Sequence, residues 1–154
     1  MSIHRFDCSQ FLPITLEKAW DFFSSPENLQ LITPPRMNFK ITSENLEKRT
    51  YAGQIISYRV SPLPGFRTTW VTEITHVQEP DFFVDEQRKG PYRLWHHQHH
   101  FKKADGGVMM TDIVHFEVPL GLIGDALARI LVKREINKIF EYRKKRLEEL
   151  FPVK

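Results

Sequence analysis

The chain has one cysteine, Cys8, in 154 residues. That excludes an internal disulfide framework. Cys8 falls in an alternating segment and reads as a small buried or half-buried side chain. No apolar run approaches the ~20 residues that span a bilayer. Residues Met1–Arg5 lack the apolar core of a secretory signal. The cytoplasm is therefore the expected location, without membrane insertion. Charge of one sign is also scarce. The net charge is +3 with neutral histidines, and the basic residues are scattered rather than striped, which argues against a nucleic-acid partner. The run Arg143-Lys144-Lys145-Arg146 is interleaved with glutamates and reads as a solvated helix face. There is no repeat, low-complexity tract or linker. Such a length supports one good core but not two typical domains, so residues 1–154 read as a single domain. The sequence leaves the oligomeric state open.

Twelve phenylalanines are many for this length. Aromatic rings bury large areas but pack less densely than branched aliphatics, so an interior with space in it is expected.

Hydrophobic periodicity orders the elements. Residues 3–12 form a strand stopped by Pro13. Thr15 is an N-cap for a short helix whose Leu16, Ala19, Trp20 and Phe23 share one face. Ser25-Pro26-Glu27 starts a second short helix, ended by Thr33-Pro34-Pro35. The period then becomes two. Strands are predicted over 37–43, 53–60, 66–77 and 82–88, with a loop at Ser61–Gly65 and turns at Glu79-Pro80 and Gly90-Pro91. On the long third of these, Phe66, Thr68, Trp70, Thr72, Ile74 and His76 share a face. Pro119 ends the last strand, and residues 122–150 are helical. The helical stripe changes phase. Val132, Ile136, Ile139, Arg143, Leu147 and Leu150 form one face, while Ile123, Leu127, Ile130 and Leu131 lie roughly opposite. A bend near Leu131, or a separate short helix before about Ala128, would reconcile the two. Arg143 is expected to lay its stem on apolar surface and keep its head in water.

The central hairpin carries the chemistry. Asp105-Gly106 signals a two-residue type I′ turn with both residues at positive φ. That register places Lys103 opposite Val108, Phe101 opposite Met110, His99 opposite Asp112, His97 opposite Val114 and Trp95 opposite Phe116. Because faces alternate, Trp95, His97, His99, Phe101, Met110, Asp112, Val114 and Phe116 point inward. Leu94, His96, Gln98, His100, Lys102, Met109, Thr111, Ile113, His115 and Glu117 point outward.

This order of elements, with Phe83-Val84-Asp85-Glu86-Gln87, Gly90-Pro91, the alternating Trp95, His97, His99 and Phe101, Asp112, Pro119-Leu120-Gly121 with Gly124, and Ile139–Arg143, resembles the START-like (SRPBCC) superfamily. Within it the chain resembles an uncharacterised bacterial branch related to polyketide cyclases. The resemblance implies an α+β helix-grip fold. In that fold a seven-stranded curved antiparallel sheet wraps a long C-terminal helix, with two short helices between the first two strands. It also implies a ligand cavity between sheet and helix.

The candidate ligand-binding residues are Trp70, Asp85, Gln87, Trp95, His97, His99, Phe101, Met110, Asp112, Val114 and Phe116, and the expected partner is a small hydrophobic molecule. His97, His99 and Asp112 are the candidates for catalysis, because a carboxylate beside an imidazole fixes its tautomer and raises its basicity. A cyclase, dehydratase or isomerase would use such a base. The same residues could instead tie the strands together. His96, His97, His99 and His100 look like a metal tract, but alternation points them two ways. His97, His99 and Asp112 would make a three-ligand set of the type catalytic zinc uses. The reading expects no metal and no other cofactor.

Overall fold

A computed structural model of the chain describes residues 3–118 and 125–153. Strand β1 (His4–Leu12) ends before Pro13. Helix α1 (Leu16–Phe23) opens where the Lys18 backbone N–H donates to Thr15 Oγ1 at 3.2 Å, satisfying one of the orphan donors of a helix start. Its face of Ala19, Trp20 and Phe23 is buried. The Ser25-Pro26-Glu27 signal opens a 3-10 helix, Pro26–Ile32, and the Ser25 side chain makes no cap bond.

The strand expected over 37–43 is mostly absent. Pro35–Met37 winds as a 3-10 turn closed by Asn38 at φ 46°, and only β2 (Lys40–Ile41) pairs. Consecutive prolines fix φ and remove donors, which favours that turn over a ladder. β3 (Ile55–Leu63), by contrast, runs through the expected loop at Ser61-Pro62. Its register shifts between Val60 and Leu63, and a proline fits a bulge because no ladder donor is needed there. In β4 (Phe66–Gln78) Trp70, Thr72 and Ile74 are buried as expected. A bulge between Ile74 and His76 then exchanges the faces. Val77 turns onto the core and His76 is exposed, so His76 does not share the buried face of Trp70, Thr72 and Ile74 expected from strict alternation.

β5 (Phe82–Lys89), β6 (Leu94–Ala104) and β7 (Gly107–Glu117) complete a seven-stranded sheet in the order β1-β7-β6-β5-β4-β3-β2, every pair antiparallel. The β6–β7 register is the one the Asp-Gly turn predicts, from Trp95↔Phe116 to Ala104↔Gly107. The turn type differs. Gly106 alone takes positive φ, at 74°, while Asp105 stays in the ordinary region, so this is not a type I′ turn. Next to it, a Cβ at Gly107 would meet the Leu12 carbonyl at 2.2 Å. The end of β1 crosses there, and only glycine allows it.

Helix α2 (Asp125–Leu150) lies across the inner face of the sheet. Val132, Ile136 and Phe140 pack with Val114 and Phe116, and Leu147 packs with Trp20 and Met110. The helix is unbroken from Asp125 onward, which corrects the separate short helix expected before Ala128. Ile130 and Leu131 are exposed instead. The described part of the opposing stripe is thus left in solvent, and the helix is not interrupted after Asp125. The strand stop at Pro119, the helix start at Leu122 and the side chains of Ile123 and Leu127 lie outside the described residues. Among the described residues no helix is long and apolar enough to cross a membrane.

Candidate functional site

Strand β6 presents Trp95, His97, His99 and Phe101 to the helix side of the sheet, as alternation requires. The two histidines and Asp112 are all at or below 7% exposure. Neighbouring rings fix the imidazoles. Phe83 stacks on His99 with centroids 4.1 Å apart, and His97 and His99 lie 3.8 Å from each other. Trp95 and Phe140 meet His97 edge-on.

Asp112 is the hub. His97 Nε2–H donates to its Oδ1 at 2.8 Å, and Arg143 Nη1–H reaches the same oxygen at 3.5 Å. Cross-strand pairing does put His99 opposite Asp112, and His99 Nδ1 lies 3.1 Å from Oδ1. Nδ1 makes no hydrogen bond there, and the contact to Asp112 is a close electrostatic one. His99 instead donates from Nε2 to Asp85 Oδ2, at 2.7 Å on the next strand. The partner expected for His99 is thus held chiefly by His97, and Asp85 takes its place. His97 Nδ1 also faces Asp85 Oδ2, at 3.6 Å.

Burial is the largest influence on each of these groups, and their contacts decide its outcome. Burial pushes the Asp112 carboxyl up, but Arg143 and the two histidines hold it well below the usual carboxylate range. Asp85 is likewise held low, by its bond from His99 and by His97 and Arg143, against the cost of burial. Burial lowers His97, and the neighbouring His99 lowers it further, so it titrates below an ordinary imidazole. For His99, Asp112 and Asp85 together outweigh burial, and its pKa is raised. The two inner histidines are thus shifted in opposite directions.

Arg143 is the residue that sequence reasoning misplaced. Its head is not in water. The residue is 7% exposed, and the guanidinium lies over the Phe23 and Phe140 rings, 5.6 and 5.5 Å from their centroids. Its Nε–H has no partner. The signal was present: one cation in an otherwise apolar stripe, facing a sheet whose inner face carries Asp112.

A cavity of about 190 Å³ opens between the sheet, the Pro26–Ile32 helix and α2. Its walls are largely apolar, with Phe22, Ile32, Met37, Ile56 and Ile139 among them. Of the residues expected to bind ligand, Trp70, Asp85, Trp95, His97 and His99 line it. Phe101, Met110, Asp112, Val114 and Phe116 do not reach it; they lie on the same inward face but are covered by α1, α2 and their neighbours. Gln87 is also outside. Its amide clasps Tyr92, donating to the carbonyl at 2.7 Å and accepting from the N–H at 3.2 Å, which fixes the β5–β6 turn. Sequence reading missed Tyr58 and Thr72 on the wall, whose hydroxyls are 3.0 Å apart. Burial, then the charge of Asp85, raises the Tyr58 phenol. Among the described residues, one group of donors converges as a metal site would: Asp85, His97 and His99, with ligand atoms all within 4.8 Å of one another.

No protein-family model and no curated protein matches the chain. Solved structures do. The chain is similar to a protein from Thermus thermophilus, with 16% identity over 95% of each chain and a TM-score of 0.73. It is similar to the major latex-like protein 151 of Panax ginseng, at 12% identity over 98% of this chain and 99% of that one, TM-score 0.70. A START superfamily protein from Mycobacterium smegmatis shares 14% identity over 96% and 97% of the two chains, TM-score 0.69.

Proposed function

Proceeding from this START-like helix-grip fold, we propose that the chain binds a small, largely apolar molecule whose polar end is an oxygen acceptor directed at Arg143. The state of that guanidinium carries the reading. Arginine has five N–H donors and cannot shed its charge. Here it is buried, makes one long contact to Asp112, leaves Nε–H unpartnered and borders the cavity. Buried donors are nearly always satisfied, so a bound acceptor is the natural complement. Trp70 Nε1–H, also buried, unpartnered and on the wall, offers a second donor. The apolar walls would hold the rest of the molecule.

The test is calorimetry with a matched series: decanoate, decanol and decylamine. A charged hydrogen bond contributes about 1.5–3 kcal/mol, so decanoate should bind about 10- to 150-fold tighter than decylamine. Arg143→Met should remove that preference while keeping the apolar component. Equal affinity across the series would overturn the reading.

A second reading, a polyketide-cyclase-like or dehydratase/isomerase-like enzyme, is favoured by the orientation of His97. Asp112 holds the Nε2 proton, which leaves Nδ1 unprotonated, 3.6 Å from Asp85 Oδ2, on a residue that lines the cavity. That is how an oriented imidazole acts as general base. His99 suits the role less, because its Nε2–H is committed to Asp85. Deuterium uptake at the acidic carbon of a β-diketone in D2O should be accelerated by the wild type and not by His97→Ala. No acceleration by the wild type would remove this reading and leave the binding one intact.

A further inference from the structure

We infer that Asp85, His97 and His99 form a two-histidine, one-carboxylate site for a divalent first-row transition ion at the polar end of the cavity. The expectation of no metal rested on alternation splitting the four-histidine tract, and the three-ligand set weighed against it took Asp112 as the third ligand. The structure supplies a different third ligand from the neighbouring strand, and gives Asp112 a different task.

Each histidine has one nitrogen turned to Asp112 and the other to Asp85. For His97, Nε2 meets Asp112 at 2.8 Å and Nδ1 faces Asp85 at 3.6 Å. For His99, Nδ1 lies 3.1 Å from Asp112 and Nε2 lies 2.7 Å from Asp85. Asp85, His97 and His99 border the cavity, whereas Asp112 does not. The two nitrogens and the Asp85 oxygen therefore converge from the cavity side, while one carboxylate backs both rings. Metal-bound histidines are commonly held this way, the outer nitrogen given to a carboxylate that sets the tautomer.

The dimensions fit. Bonds of about 2.0–2.2 Å around a tetrahedral ion put ligand atoms about 3.4 Å apart, and the separations here are 2.7 and 3.6 Å, all within 4.8 Å. Little needs to move. His99 would give its Nε2 proton up and carry the ring proton on Nδ1, toward Asp112. Charge also fits. Two carboxylates against one guanidinium leave one negative charge among Asp85, Asp112 and Arg143, which a dication overcompensates by one. The remaining positive charge suits an oxygen ligand entering from the cavity. Three protein ligands with an open position is the catalytic rather than the structural pattern, and histidine–carboxylate donor sets favour zinc or iron(II).

The test uses the full chain, stripped with chelator and dialysed against Zn²⁺ or Co²⁺ alone. Elemental analysis should give close to one ion per chain, and the Co²⁺ form should show visible d–d absorption. His97→Ala and His99→Ala should each lose the ion, and Asp85→Asn, nearly isosteric, should weaken it while keeping the far-UV circular dichroism. Asp112→Asn should retain the ion with about 10- to 100-fold lower affinity. A His96→Asn/His100→Asn double variant, altered only on the outer face, should bind as the wild type does. Wild type that takes up no ion overturns the site, and so does uptake lost in the outer-face variant but kept in Asp85→Asn. Binding of the decanoate series is measured in chelator, so its failure and that of the metal site are read separately.

Discussion

Strand β6 carries two pairs of histidines, one on each face, and the sheet gives them opposite fates. Outside, His96 and His100 are half-buried and form a surface ladder. His96 Nδ1 meets Glu86 at 2.8 Å, and Gln98 lies between the two rings, 3.2 and 2.9 Å from them. Water completes such groups, and losing one partner costs little. Inside, His97 and His99 share two carboxylates and a guanidinium with almost no solvent. Removing any one leaves a buried charge or donor without a partner. Identical side chains in one short tract thus belong to different energetic regimes because a pleat separates them.

The largest expected effect that sharpens this contrast is at the hub. Asp112→Ala leaves Arg143 buried and unpaired, which costs about 3–5 kcal/mol. Urea denaturation should show that loss as a fall in midpoint, and a change under about 1 kcal/mol would break the comparison. Next comes the histidine pair. His99→Ala removes a buried partner from Asp85 and should cost about 1–3 kcal/mol. His100→Ala on the outer face should stay within about 0.5 kcal/mol. Equal costs for the two would mean that the faces do not differ as described.

A smaller and more diagnostic effect follows from pH, measured on chelator-treated protein. The Asp112 carboxyl is held below its unfolded value, so it contributes stability that is complete above the ordinary carboxylate range. That contribution is lost as pH falls through the folded-state value, because the unfolded chain takes up the proton first. Wild type should therefore lose stability on acidification more steeply than Asp112→Asn. Parallel curves would show that Asp112 is not stabilised as a carboxylate.

Much of the site was legible beforehand, for reasons that are local. A two-residue Asp-Gly loop sets the β6–β7 register, and a period of two then assigns every side chain of that hairpin to a face. No tertiary information is needed for His99 to oppose Asp112. The facing followed from the aromatic company of His97 and His99, since Trp95, Phe101 and Phe116 have no reason to be wet. The fold was readable from the order of elements and their motifs.

Other features were decided only by the packed chain. Bulges in β3 and β4 are set by the partner strand, so the inward turn of Val77 and the exposure of His76 had no local signal. The hydrogen-bond partner of His99 depended on strand β5, whose register against β6 comes from no tight turn of known type. Which inward residues reach the cavity was fixed by what α1 and α2 cover. The burial of Arg143 was settled by the same docking. Periodicity places that arginine on the inner stripe of α2, but its charge could sit there only because Asp112, two aromatic faces and a cavity wall meet it from separate parts of the chain.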